Sequence, residues 1–259
     1  MAEIGRRRLE AQLNHATSGD ISGGRHSQRQ TMHPSLEYYL YVPNGWTQTT
    51  LLVIMTTGDG DKLKEAFRPF ADKQGISILS PIFPREDGNY SFLHHNGIRY
   101  DELLLQMVHE ARTENVSIVG DKFLLYGFGA AAQFVNRFTF LHASKLLGVS
   151  MGDPTNVTQL DDELDWPLGT KNCNMKKELE IDDLKQLQVH LFIATNTVKT
   201  SCTMHLPNEL DLLEQSLNSQ GVVTRKSIIP AESTEEEKCW YAVMNFFADA
   251  MKISNSLTT

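Results

Sequence analysis

Phe123-Leu124-Leu125-Tyr126-Gly127-Phe128-Gly129-Ala130-Ala131-Ala132-Gln133-Phe134-Val135-Asn136-Arg137 is the stretch on which the fold turns. Its opening, a short aromatic-rich apolar run bounded by glycine, reads as a buried strand. Ala130, Ala131 and Ala132, followed by Phe134, Val135, Phe138 and Leu141, read as a helix whose slim first turn can lie against that strand. Gly127 and Gly129 between them permit a sharp bend. Where such a bend reads G-x-S-x-G, it lifts a serine hydroxyl on a strained turn at the top of a parallel sheet. Here the middle position is Gly129, which has no side chain to present.

Gly127 to Phe138 resembles the α/β-hydrolase superfamily, and within it a small-hydrolase branch whose bend reads roughly Gly-x-Ser-Gly-Gly-Gly-Gln-Phe-x-x-Arg-Phe. The match is in register, with Gly129 standing for the serine and alanines for glycines. The resemblance runs from about Tyr38 to the last helix. It implies an α/β fold with a mostly parallel central sheet, helices on both faces and a small cap insertion. Gly127-x-Gly129-x-x-Ala132 also fits the dinucleotide fingerprint. That fingerprint normally opens the first strand–helix unit, whereas two such units precede it here, and Asp153 lies beyond the usual acid spacing. No cofactor is therefore expected.

With 259 residues and 41% hydrophobic content, the chain is long enough for one good core. The net charge of −8 comes without a basic stripe. Nucleic acid and anionic membranes are poor partners for such a surface. Cys173, Cys202 and Cys239 are odd in number and widely spaced, which suits a reducing compartment. No apolar stretch is long enough to span a bilayer, and no secretory h-region opens the chain, so a cytoplasmic protein is expected. The oligomeric state is left open.

In chain order, residues 1–33 lack apolar periodicity and are read as a mobile leader, with one domain over 34–259. Tyr38–Val42 is a strand closed by the turn Pro43-Asn44-Gly45. Leu51–Met55 is a continuous apolar run, hence a strand covered on both faces. Lys62–Lys73 and Asp101–Thr113 carry helical spacing, and Ile76–Leu79 is a strand between them. His94 and His95 are assigned to a surface loop. Leu146–Ser150, Val189–Ala194 and Lys226–Ile229 are further strands, Leu210–Gln220 and Thr234–Met251 helices. About 155–185 forms the cap, and its acids Asp161, Asp162, Glu163 and Asp165 form a solvated face, not a cation site.

The family resemblance implies where a catalytic triad would lie. The acid position falls on Thr197 and the histidine position on Thr234, so with Gly129 all three members are absent. Two backbone donors of an oxyanion-type pocket would come from Asp59, after the strand Leu51–Met55, and from Ala130. Backbone N–H groups survive side-chain loss, so such a pocket can outlast the nucleophile. Asp59 is also the first candidate for a polar catalytic role, with Asp61 and Asp153 placed near it.

Three readings follow. The leading one is a non-hydrolytic enzyme, of cyclase, isomerase or lyase type, acting on a carbonyl-bearing small molecule in natural-product biosynthesis. Its alternatives are a non-catalytic ligand-binding or scaffolding protein, and a hydrolase with relocated residues. For the last, Ser150, Ser233, Cys202 and His205 are the candidates; Ser150 is expected to pack beneath the pocket.

Overall fold

The computed structural model describes residues 4–9, 36–56, 60–83, 89–154, 156–173, 175, 178–194, 209–229 and 236–257. Eight strands form one sheet: β1 (Ile4–Leu9), β2 (Leu36–Tyr41), β3 (Thr50–Met55), β4 (Ile76–Ile82), β7 (Phe123–Phe128), β8 (Leu146–Gly152), β9 (Gln188–Ala194) and β10 (Thr224–Ile229). Their order is β1-β2-β4-β3-β7-β8-β9-β10. The first two pairings, β1 with β2 and β2 with β4, are antiparallel. All the others are parallel. A second, two-residue pairing joins β5 (His94–His95) to β6 (Ile98–Arg99).

Parallel strands need crossovers, and helices supply them on both faces. On one face lie α2 (Tyr100–Glu114), α3 (Ala130–His142), α4 (Ile181–Gln186) and α5 (Glu209–Ser219). On the other lie α1 (Gly60–Gln74) and α6 (Glu236–Leu257). The continuous apolar run of β3 follows from this double cover. Leu51, Val53 and Met55 enter the core under α2 and α3, while Leu52 and Ile54 enter the core under α1 and α6. The same alternation divides β7, with Phe123 and Leu125 on one side and Leu124 and Tyr126 on the other.

Most elements fall where the sequence placed them, with ends extended by a few residues. Two differ in kind. The stretch read as a mobile leader contains β1, which pairs antiparallel with β2 from Ile4↔Tyr41 to Leu9↔Leu36. An edge strand is held by main-chain hydrogen bonds, so it needs no apolar periodicity to announce it. His94 and His95, assigned to a loop, pair with Arg99 and Ile98; Asn96 and Gly97, both at positive φ, make the turn. Between Pro154 and Glu180 the described residues hold turns and one isolated bridge, Asp165 with Lys171. Of the four acids there, Asp162, Glu163 and Asp165 are exposed.

Candidate functional site

The bend between β7 and α3 sits at the carboxyl end of the parallel strands, where open α/β sheets place their ligands. Gly129 adopts φ 60° and ψ −124°, a conformation L-residues rarely hold. Its N–H donates to the Gly152 carbonyl at 2.8 Å, tying the bend to the end of β8, and its own carbonyl accepts from Ala132 N–H at 3.1 Å. A Cβ at Gly129 would meet nothing within 4 Å, so the bend opens onto free space. Gly127 is glycine for a different reason. A Cβ there would lie 2.7 Å from the Ala131 carbonyl oxygen and 2.7 Å from Val135 Cγ2, because α3 presses directly on its strand. Ala130 opens α3, and N–H groups of a helix's first turn lack intrahelical acceptors.

An apolar wall stands beside the bend. Phe128 immediately precedes Gly129, is 41% exposed and stacks on Phe192, with ring centroids 5.9 Å apart. One strand over, Asp153 leaves β8 at φ 41°. It is engaged by the backbone: its Oδ2 accepts from Ala194 N–H at 3.3 Å, and its own N–H donates to the Phe192 carbonyl.

Further along α3, buried polar groups anchor the helix to the segments crossing it. Arg137 is 2% exposed. Its Nε donates to Thr158 Oγ1 at 2.9 Å and its Nη1 to the Ser91 carbonyl at 2.6 Å. The guanidinium lies over the rings of Phe92 and Trp166. Burial pulls its ionisation down to about 10, still far enough up that it is charged at neutral pH. Asn136 exchanges two hydrogen bonds with the Thr158 backbone. Thus the Arg of the sequence pattern is a fastener between α3, the turn Asn89–Phe92 and the segment carrying Thr158 and Trp166.

At the far end of α3, the fully buried Asp101 receives Arg99 through Nε at 2.9 Å and Nη2 at 2.7 Å, and His142 Nε2 lies 2.9 Å from it. Burial alone would raise the carboxyl's pKa, yet the bonds from Arg99 and His142 outweigh it and hold the group down at about 2. Arg99 also donates to the Met175 carbonyl. This cluster joins α2, α3 and the backbone at Met175.

A serine and a histidine also meet, away from the bend. Ser150 Oγ lies 2.9 Å from His190 Nδ1, and His190 Nε2 lies 3.0 Å from Ser227 Oγ. Ser150 is fully buried and His190 is 1% exposed. Burial, with Arg225 nearby, lowers the imidazole to about 4, so it is neutral. His190 stacks against Phe192 and Phe246. The side chains of Ser150, His190 and Ser227 form a packed polar chain across β8, β9 and β10, in which the Ser150 hydroxyl already has His190 as its partner. The sequence had no signal for His190, which is brought to Ser150 by strand register alone.

Of the residues singled out from the sequence, the structure places Gly129 and Ala130 at the bend. Asp59, Thr197 and Thr234 lie outside the described residues, as do Cys202, His205 and Ser233. Among the described residues no group of three or more His, Cys, Asp or Glu could hold a metal, and no helix is long and apolar enough to cross a membrane. Two side chains were given no role from the sequence: Phe128, exposed beside Gly129, and Tyr90, whose hydroxyl is buried without a partner.

No protein-family model matches the chain. No curated protein matches it either. Solved structures do. Poly(aspartic acid) hydrolase-1 from Sphingomonas sp. KT-1 superposes with a TM-score of 0.63 at 17% identity, covering 81% of this chain and 92% of that one. LpqC, a poly(3-hydroxybutyrate) depolymerase from Bordetella parapertussis, gives 0.62 at 14% identity, covering 83% and 84%. The S-formylglutathione hydrolase FrmB from Staphylococcus aureus gives 0.58 at 10% identity, covering 96% and 99%. The chain therefore has the α/β-hydrolase fold.

Proposed function

We propose that this α/β-hydrolase-fold protein acts on a carbonyl-bearing small molecule without forming a bond to it, as a cyclase, isomerase or lyase of natural-product metabolism. The observation that carries the reading is Gly129: its backbone holds φ 60° and ψ −124° with open space above it and no hydroxyl to offer. The neighbours named above are described as hydrolases and depolymerases, whereas this chain has glycine at the middle of its bend. Thr197 and Thr234, at the acid and histidine positions implied by the family pattern, point the same way.

In this reading the Ala130 N–H, with a second N–H near Asp59, polarises the ligand's carbonyl oxygen. Fixed donors aimed at developing negative charge lower a barrier without any nucleophile. Holding the ligand in one reactive conformer adds to that. Phe128 supplies an apolar face, and the Asp59 carboxylate takes and returns a proton beside the carbonyl. The cap segment roofs the ligand and selects it. The alternative of a carrier or scaffold differs in one respect, the absence of turnover. A relocated hydrolase is disfavoured by the burial of Ser150 and His190, whose imidazole is held between Ser150 and Ser227 inside the sheet.

The test joins covalent labelling to turnover. The protein is treated with a fluorophosphonate probe and followed by intact mass, then incubated with cyclisable polyketide-like β-diketones and enones followed by chromatography. No adduct together with conversion faster than buffer is the expected result. An adduct that replacement of one particular serine abolishes sinks the non-covalent reading, an adduct that survives every such replacement counts against a hydrolase, and tight binding without conversion moves the assignment to the carrier.

A further inference from the structure

We infer that the Tyr90 hydroxyl is a ligand-binding group of the same site, donating a hydrogen bond to the oxygen of a neutral, carbonyl-bearing and otherwise apolar molecule. This rests on the ligand-holding part of the reading above, not on turnover.

Tyr90 is 7% exposed. Among the described residues only two buried side-chain nitrogen or oxygen atoms lack a hydrogen-bond partner, Tyr90 Oη and Arg112 Nε. The second belongs to a guanidinium whose two other nitrogens donate to the Asp121 and Lys122 carbonyls. The Tyr90 side chain has a single polar atom, and it is left with no partner. A buried hydroxyl in that state costs free energy that phenylalanine at the same place would avoid, so native structures rarely keep one without a use.

Its position supplies the use. The ring packs against Phe83, centroids 5.5 Å apart, and against Phe134 at 6.0 Å. Phe83 directly follows β4, and Phe134 lies about one turn along α3 from Ala130, so both belong to the end of the sheet that carries the bend. The turn is firmly held. Arg137 bonds the Ser91 carbonyl and covers Phe92, and Leu93 N–H donates back to the Tyr90 carbonyl. Burial alone drives the phenol's ionisation up to about 12, so the group keeps its proton and acts as a donor. A neutral donor set among Phe83 and Phe134 matches a ketone or lactone oxygen on an apolar frame better than a cation or a highly charged anion.

The probes are coumarin and acetophenone, each with a carbonyl acceptor, and naphthalene, which has none, titrated by ligand-observed NMR against wild type and Tyr90→Phe. Wild type should take coumarin or acetophenone in preference to naphthalene. Tyr90→Phe should weaken the carbonyl probes about 3- to 10-fold, the ordinary worth of one neutral hydrogen bond, leave naphthalene unchanged, and melt at the same temperature or higher. Equal affinity for the carbonyl probes in both proteins overturns the inference while leaving the functional reading intact. A lower melting temperature in Tyr90→Phe also overturns it, since the hydroxyl would then have a structural partner. A wild type that takes up none of the probes overturns both.

Discussion

Replacing Gly129 with serine tests the backbone strain of the bend and its chemistry together. At φ 60° and ψ −124°, an L-residue strains its own backbone by about 1–3 kcal/mol. No steric cost adds to this, because a Cβ there meets nothing within 4 Å. Serine's advantage over glycine as a helix N-cap returns only roughly 0.3 kcal/mol. The net expectation is a loss of about 2 kcal/mol, a fall of about 4–8 °C in melting temperature for a chain of this size. Gly127→Ala is the internal contrast. Its Cβ would press on the Ala131 carbonyl oxygen and Val135 at 2.7 Å, and since helix backbone cannot step aside, the expected loss is about 3 kcal/mol or more. Urea denaturation of both variants beside wild type measures these values. The serine variant is then offered 4-nitrophenyl acetate and a fluorophosphonate. Neither turnover nor adduct is expected, because a hydroxyl without a placed base is a poor nucleophile. A Gly129→Ser protein as stable as wild type refutes the strain argument; appreciable esterase activity in it refutes the absence of a base.

Asp101 should make the fold acid-sensitive. Its carboxyl, at about 2 when folded against 3.8 for a free aspartate, contributes about 2 kcal/mol that is present above pH 4 and lost as pH falls toward 2. Asp101→Asn should flatten that limb in melts run from pH 5 to 2. His190 acts higher. At about 4 when folded, against 6.5, it leaves the unfolded chain binding the extra proton, so about 3 kcal/mol present above pH 6.5 drains away down to pH 4. Melts of His190→Gln over that window should show a shallower slope than wild type, and an unchanged slope would rule out a buried neutral imidazole. Arg137→Lys should lose about 2–4 kcal/mol in urea, despite keeping its charge, because an ammonium cannot bond Thr158 and Ser91 while lying flat between Phe92 and Trp166.

Legibility followed sequence distance. The strand, bend and helix from Phe123 to His142 were readable because a glycine pair followed by three alanines admits one local geometry, and neighbouring residues dictate it. The doubly covered β3 was readable from its unbroken apolar run. Missed were the contacts made at long range. β1 pairs with β2, a strand that begins only at Leu36. Ser150 meets His190 forty residues on, and His190 meets Ser227 thirty-seven further. Arg137 stood in the sequence as part of a motif, yet its partners Ser91 and Thr158 carry no pattern that names them. At the site itself, Gly129 and Ala130 were readable, whereas Tyr90 looked like one more aromatic residue.

By itself, then, the order of residues decided the class of fold and the sharp bend at Gly129, since both depend on local backbone freedom and on the alternation of apolar positions. Tertiary structure decided the fate of each polar group: Arg137 and Asp101 buried with partners, His190 buried and neutral, Tyr90 buried with none. Burial and partnership are properties of residues brought together from distant parts of the chain, and only packing assembles them.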